Sequence, residues 1–171
     1  MIKSLRKLSW LRHTLVGLKR AYLRKVWKLD IHPTVEMSLS AKFDLTNPKG
    51  IHVGAYSYVA FNARILAHDM TRNLRRDTYV GENCFIGGQS LILPGVRIGN
   101  QCIVGAGSVV TKSVPDNCIV AGNPAVILKR DVQLLSYGRV DPNWAKAQAE
   151  ADEANKGTDS VDGAQEGSTR P

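Results

Sequence analysis

The sequence predicts an all-β fold in which short parallel strands wind into a three-sided solenoid, and three observations lead to this prediction. Residues 80–114 divide into hexapeptides (VGENCF, IGGQSL, ILPGVR, IGNQCI, VGAGSV, VTKSV), a period typical of neither a helix nor a simple amphipathic strand. The first position is always β-branched and aliphatic: Val80, Ile86, Ile92, Ile98, Val104 and Val110. The fifth position repeats after 18 residues, as in Cys84 and Cys102, Ser90 and Ser108, and Val96 and Val114. Short fixed repeats indicate a solenoid, and here three hexapeptides make one coil.

The first element is a basic amphipathic helix, which we assign to residues 1–30, with 2–28 helical. Residues 1–28 hold nine Lys or Arg and no Asp or Glu. A helix of this kind that carries Trp10 and Trp27 can lie on an anionic bilayer. Alternatively, its apolar stripe packs against the solenoid or a sister subunit, and both interpretations remain open at this point. The stripe follows a helical spacing: Leu8, Leu11, Leu15, Leu18, Tyr22 and Val26.

The solenoid is expected over residues 31–130. Lys49-Gly50 shifts its register, and the polar segment His68–Thr78 interrupts it with three extra residues, which predicts a projecting loop. A turn signal at Pro115 then breaks the repeat. The expected interior residues of the early coils are Ile31, Met37, Phe43, Val53, Val59 and Ile65, with Val35, Ala41, Ser57 and Ala63 at the fifth positions.

The C-terminal part is expected to close the solenoid and then lose order. Residues 131–140 are interpreted as a short closing helix. Residues 141–171 hold seven acids and three bases and are rich in Ala, Gly and Ser, which favours a flexible, disordered tail, with a helix over 143–155 as a local alternative.

Composition narrows the class of protein. The net charge is +8, but no nucleic-acid recognition motif accompanies it. No secretory signal, no run of about 18 apolar residues, no zinc-ligand spacing and no phosphate-binding glycine loop is visible. We therefore expect a cytoplasmic protein without a metal, peripheral to the inner face of the membrane if the helix binds lipid. Its three cysteines are expected to be buried thiols rather than disulfides.

The run from Val80 to Arg130 resembles the hexapeptide-repeat acyltransferases, and is most similar to the small sugar and exopolysaccharide O-acetyltransferases of the maltose, galactoside and nodulation kind. The segment Val104–Ala125, VGAGSVVTKSVPDNCIVAGNPA, is its most specific part. The resemblance implies a left-handed parallel β-helix, an exception to the usual right-handed crossover. It also implies a homotrimer with active sites between subunits, acetyl-CoA as co-substrate, and a sugar or glycan acceptor.

The resemblance also implies roles for individual residues. His68, at the mouth of the loop, matches the catalytic histidine. Gly88 and Ala106 match the pantetheine contacts, one coil apart, although a serine common at the Gly88 position is absent. The residues near the nucleotide end of the co-substrate match Thr111, Lys112 and Lys129.

Acetyl transfer to a hydroxyl requires a base, because the hydroxyl must lose its proton as it attacks, and a histidine is suited to this near pH 7. His32 and His52 follow interior residues and are expected to point outward. Three loop or turn residues are candidates for the acceptor site: Asn62, Asp69 and Arg72.

The predicted function is therefore an acetyl-CoA-dependent O-acetyltransferase acting on a sugar or a cell-surface polysaccharide precursor. Two other enzymes remain open, an N-acyltransferase acting on an aminosugar and a serine O-acetyltransferase. A catalytically inert trimeric β-helix scaffold is the alternative from another class of protein.

Overall fold

The computed structural model describes residues 9–158, which contain two helices and eighteen short strands. Helix α1 spans Ser9–Lys25 and helix α2 spans Pro142–Thr158. The strands are β1 Asp30–Ile31, β2 Glu36–Met37, β3 Lys42–Phe43, β4 Ile51–Val53, β5 Tyr58–Val59, β6 Arg64–Ile65, β7 His68–Asp69, β8 Leu74–Arg75, β9 Thr78–Val80, β10 Phe85–Ile86, β11 Leu91–Ile92, β12 Arg97–Ile98, β13 Ile103–Val104, β14 Val109–Val110, β15 Ile119–Gly122, β16 Ala125–Lys129, β17 Leu134–Leu135 and β18 Arg139–Val140.

Three sheets form the sides of the solenoid. Sheet A has the order β1-β4-β9-β12, sheet B has β2-β5-β10-β13-β15-β16, and sheet C has β3-β6-β11-β14. All of these pairs are parallel except β15 with β16, which form an antiparallel hairpin. Each strand pairs with strands one coil away, so that Ile86 lies between Val59 and Val104. The three-sided solenoid with an 18-residue coil is therefore confirmed.

The interior consists of the residues at the first and fifth hexapeptide positions, as the period predicts. The first- and fifth-position residues named above, from Ile31 to Val114, are all buried, whereas Asn47, in the fifth position just before the register shift, is half-buried. Buried serines are bonded to the backbone, for example Ser90 Oγ, which donates to the Gly87 carbonyl at 2.7 Å. Cys84, Cys102 and Cys118 are free, buried thiols, in agreement with the expectation of reduced cysteines.

The glycines at the second hexapeptide position have a different role from the one that the period suggests. We expected them to adopt turn conformations that other residues resist, but the left-handed backbone occurs at the fourth position, as at Asn83, Gln89 and Gly107. A Cβ added at Gly87 would lie 2.5 Å from the Val104 carbonyl oxygen. These glycines are therefore required by the close approach of neighbouring coils.

Helix α1 packs on the N-terminal end of the solenoid core, against β1, through Val16 and Leu23. The apolar stripe is exposed on the other side of the helix: Leu11, Leu15, Leu18, Tyr22 and Val26. Of the interpretations left open by the sequence, packing of this stripe on the chain's own solenoid is therefore wrong. Among the described residues, no helix is long and apolar enough to cross a membrane.

The inner face of α1 also carries cations that bind the carbonyl groups of the first coil. Lys19 Nζ donates to the carbonyl oxygens of Ala41, Leu39 and Ser38 at 2.6, 2.9 and 3.4 Å. Arg20 donates to the Val35 carbonyl at 2.6 Å. Burial lowers the pKa of Lys19. Within the described residues, no earlier coil supplies N–H groups that could donate to these carbonyls, so the helix satisfies the open end of the first coil.

Replacing Lys19 by Met is expected to reduce the free energy of unfolding by about 1–3 kcal/mol, because it removes charge-assisted bonds to half-buried carbonyls. Denaturant unfolding at a fixed protein concentration measures the change. Lys25→Met, on the exposed side of the same helix, is the matched control. Equal stability of the Lys19 variant and the wild type would contradict the capping role.

Residues 131–140 do not form the expected closing helix. They contain β17, a 3-10 turn and β18, and run back along one corner of the solenoid. The Val132 N–H donates to the Asn117 carbonyl at 3.1 Å, and the Tyr137 N–H donates to the Tyr56 carbonyl at 2.6 Å. An extended segment can reach several successive coils, which a helix of ten residues could not do.

The described residues from Val140 onward form a second compact unit, which contains α2. Here the chain is helical from Pro142 to Thr158, where the sequence offered a helix over 143–155 as the alternative to a flexible tail. Lys146 and Glu150 form an exposed i,i+4 ion pair at 3.8 Å. The rest of the expected tail, residues 159–171, and the start of the expected N-terminal helix, residues 1–8, lie outside the described residues.

Candidate active site

His68 lies where the chain leaves sheet C. Strand β6 ends at Ile65, and His68 then begins β7, which pairs antiparallel with β8 in a hairpin that projects from the solenoid. The Arg76 N–H donates to the Ala67 carbonyl at 3.0 Å and closes the base of the hairpin. Thr78, expected to be the last loop residue, is buried in β9 and belongs to the next coil. The interruption is therefore a short, ordered hairpin with His68 at its base.

Asp44 fixes the backbone that enters this hairpin. Its carboxylate accepts hydrogen bonds from the N–H groups of Ala67, at 3.1 Å, and of His68. Burial alone would raise the pKa of Asp44, but the N–H donors of Thr46, Ala67 and His68 outweigh it and hold the pKa below its usual value. Asp44 is not among the candidate site residues predicted from the sequence. An Asp directly after an interior residue at a corner is a recognisable turn signal.

The His68 imidazole is half-buried and has no hydrogen bond or ion pair within the part of the chain that the structure describes. His52, in contrast, donates from Nδ1 to the Asp30 carboxylate at 2.9 Å and stacks on Tyr79 with ring centroids 4.3 Å apart. His32 is exposed and bonded to Thr34. Both point outward, as expected. His68 is thus the solenoid histidine whose ring remains available.

Asp69 and Arg72 pair with each other inside the hairpin. Asp69 accepts from the Thr71 hydroxyl at 2.7 Å and from Arg72 Nε at 2.6 Å. The Thr71 hydroxyl and then Arg72 hold the pKa of Asp69 far below its usual range. Among the described residues, Asp69 forms no hydrogen bond with the His68 ring. The pair therefore shapes the loop beside His68.

Gly88 and Ala106 lie on another edge of the solenoid, at the border between sheets B and C. They occupy the same position in adjacent coils, since Ile86 pairs with Val104. Neither N–H donates to an acceptor in the described residues. Two unpaired N–H groups along one edge form a surface on which an extended amide-containing arm can bind. Gly88 is covered by the ring of Phe61 from the preceding coil.

The residues expected at the nucleotide end lie at the last complete coil. Thr111 and Lys112 are exposed and line a cleft of about 340 Å³ with Val126 and Ile127 of β16. Lys129 ends that strand and is half-buried. The cleft combines cationic and apolar groups, which a phosphorylated nucleotide with an aromatic base requires.

Asn62 lies on the same border as Gly88, in the left-handed conformation at φ 55°. It lines a groove of about 590 Å³ across sheet C together with Lys42 and Arg64. His68 lies on the opposite border of that sheet, a hexapeptide further on. The separation of the two borders is on the order of 10–20 Å. One chain therefore does not bring His68 together with Asn62, Gly88 or Ala106.

Comparison with known proteins agrees with this fold. Residues 77–112 match the family model described as bacterial transferase hexapeptide (six repeats). The protein YvoF of Bacillus subtilis, which carries an acetyltransferase name, is 33% identical over 115 residues, covering 66% of this chain and 67% of that protein. A galactoside O-acetyltransferase of Lactococcus lactis is 32% identical over 58% of this chain and 55% of its own length.

Among solved structures, a maltose O-acetyltransferase from Clostridium difficile 630 superimposes with a TM-score of 0.52 at 23% identity, covering 75% of this chain and 87% of that one. A hexapeptide-repeat acetyltransferase from Vibrio cholerae gives 0.51 at 21% identity, covering 73% and 89%. These likenesses concern the fold, and they confirm the left-handed parallel β-helix.

The fold and the hexapeptide repeats define a transferase built on a left-handed β-helix. The chain belongs to the hexapeptide-repeat transferase family. Because its relatives carry the names of acetyltransferases, it is an acyltransferase.

Proposed function

We propose that the chain is an acetyl-CoA-dependent O-acetyltransferase that acts on a sugar or glycan hydroxyl, with His68 as the general base. The observation that carries the proposal is the contrast between its histidines: the His68 ring is available at the base of an ordered hairpin, whereas His32 and His52 have partners. The galactoside O-acetyltransferase among the relatives supports a sugar hydroxyl as the acceptor.

Each residue supplies one part of the reaction. His68 takes the proton of the acceptor hydroxyl as its oxygen attacks the thioester carbonyl carbon. The Gly88 N–H donates to the carbonyl oxygen, which gains negative charge as the new C–O bond forms. The C–S bond then breaks, and the sulfur leaves as a thiol after taking from His68 the proton that the acceptor hydroxyl gave up. Thr111, Lys112 and Lys129 bind the nucleotide end, where cations offset the phosphate charge.

The site is incomplete in one chain and requires a second copy. His68 lies on the border between sheets C and A, whereas Gly88 and Ala106 lie on the border between B and C, on the order of 10–20 Å apart. Proton transfer needs contact at about 3 Å. A homotrimer in which each copy presents its Gly88 edge to the His68 edge of the next copy completes three equivalent sites.

A thiol-release assay with acetyl-CoA tests the proposed function on three kinds of acceptor: neutral sugars and glycans, an aminosugar, and serine. Turnover on a sugar hydroxyl supports it. Turnover only on the aminosugar nitrogen or only on serine replaces it with one of the two alternative enzymes. No turnover on any acceptor favours the inert trimeric scaffold.

We further propose that the exposed stripe of α1 lies on an anionic membrane surface, from which the enzyme reaches a lipid-linked acceptor. Leu18 and Val26 are 63% and 62% exposed, although α1 already has its own packing face. Helix α1 contains no Asp or Glu. The exposed charges around the stripe are cationic: Arg12, Arg24, Lys25 and, just after the helix, Lys28. A second copy of the helix would bring like charges together, whereas anionic lipids complement them.

Replacing Leu18 and Val26 by Glu is expected to weaken binding to vesicles of anionic lipid by about tenfold or more, because each buried apolar side chain contributes about 1.5–3 kcal/mol. Cosedimentation of the full chain with anionic and with neutral vesicles measures this. Leu135→Glu, at another exposed apolar position, is the control. A double variant that binds as well as the wild type, or a wild type that ignores anionic vesicles, would contradict the proposal.

A further inference from the structure

Phe61 lies directly beside the point where the proposed reaction takes place. Phe61, Gly88 and Ala106 occupy the same position in three successive coils, because the registers of Val59, Ile86 and Val104 are aligned. The nucleotide end of the co-substrate is assigned to the last coil, so the pantetheine arm passes Ala106 and then Gly88. The next residue along this edge is Phe61.

The contact between Phe61 and Gly88 is close. A Cβ built on Gly88 would lie 2.6 Å from Cζ and 2.7 Å from Cε1 of the Phe61 ring. The ring therefore occupies the space into which any side chain at position 88 would extend. The Gln89 N–H donates to the Phe61 carbonyl at 2.9 Å. This bond holds the backbone directly after Gly88 against the backbone of Phe61.

From this contact we infer that Phe61 limits the acyl group that the enzyme transfers, and restricts the donor to acetyl-CoA among acyl-CoA thioesters. The inference rests on the proposed function, since it places the thioester carbonyl at the Gly88 N–H. An acyl carbonyl oxygen held there, at about 2.7–3.1 Å, directs its alkyl group along the edge towards the ring. A methyl group fits against the ring, whereas each further methylene must displace it.

The contact also accounts for the absence of a side chain at position 88, where the sequence has glycine. With Phe61 in place, a serine side chain at position 88 would overlap the ring. Phe61 and Gly88 are thus a matched pair in this chain, and changing one constrains the other. The side chain of Phe61 is 53% exposed, so its size can change with little effect on the buried core.

The test compares kcat/KM for acetyl-CoA, propionyl-CoA and butyryl-CoA with one acceptor. Phe61→Ala is expected to raise the ratio of butyryl to acetyl turnover by about tenfold or more, because one methylene in a binding pocket is worth about 10–200-fold in specificity. Leu39→Ala is the matched control, since Leu39 is 50% exposed at the same corner one coil further from Gly88. Its ratio is expected to equal that of the wild type.

A second pair of variants tests the contact without relying on a longer acyl chain. Gly88→Ser is expected to lower kcat/KM for acetyl-CoA, and Phe61→Ala in the same chain is expected to restore part of it. Binding of butyryl-CoA by calorimetry gives a readout that does not depend on turnover. An unchanged ratio and unchanged butyryl-CoA affinity in Phe61→Ala would overturn the inference while the proposed function stands. A wild type that turns over no acyl-CoA would overturn the proposed function itself, and the inference with it.

Discussion

Replacing His68 by Ala is expected to lower kcat for acetyl transfer by about 10²–10⁴-fold, the range that general-base catalysis contributes. The loss follows from the chemistry, because the acceptor hydroxyl keeps its proton as it attacks and the barrier rises. The fold is expected to persist, since the ring has no partner among the described residues and Asp44 binds the His68 backbone rather than its side chain. Thiol release from acetyl-CoA, with unfolding measured in parallel, separates the two effects.

His32→Ala is the control for this prediction. His32 is exposed and bonded to Thr34, away from the hairpin that carries His68. It is expected to retain wild-type kcat. Equal turnover by the His68 variant and the wild type would show that another group removes the proton, and the assignment of the base would be wrong.

The interior of the solenoid could be predicted from the sequence because each hexapeptide position has one environment. A position that repeats every six residues lies in the same layer of every coil, so one residue type recurs there. Cys84 and Cys102 occupy equivalent corners, and both are buried as the repeat predicts. The residues that match the family's catalytic and co-substrate positions stay predictions, since they depend on the resemblance and on a second copy of the chain.

The orientation of α1 could not be predicted from its apolar stripe. A stripe predicts the buried face only where the neighbouring surface is apolar. Here the neighbour is the open end of a coil, which presents carbonyl groups, and Lys19 and Arg20 bind them better than leucines could. The face chosen for packing combines these cations with Val16 and Leu23, and the more apolar stripe remains outside.

The closing segment and the glycines show a second limit of sequence patterns. Residues 131–140 are extended because their N–H groups find acceptors on successive coils, which a local propensity does not report. The second-position glycines look like turn residues, yet Gly87 is needed because the backbone of the next coil lies where its Cβ would be. Both features depend on contacts between coils, and a pattern within one hexapeptide does not contain them.

Assembling two inactive variants into mixed trimers by co-expression is expected to restore activity if each site lies between two copies. One variant is His68→Ala, which lacks the base. The other is Ala106→Trp, which blocks the pantetheine edge, and Ala106 is exposed enough to accept the larger side chain without disturbing the core. Each variant alone is expected to lose at least about 100-fold in kcat/KM, since a blocked or base-free site lacks a required group.

In mixed trimers, a site works when an intact His68 of one copy faces an intact Ala106 edge of the next. Random assembly of equal amounts gives this arrangement in about a quarter of the sites of a cyclic trimer. Co-expression and co-purification are therefore expected to recover about a quarter of wild-type kcat, while mixing the separately purified, assembled proteins recovers none. A site contained in one chain gives a different result, because no mixture of the two variants then holds a complete site. Activity that stays at the level of the single variants in verified mixed trimers would thus contradict the shared site and leave the roles of His68 and Ala106 to be tested within one subunit.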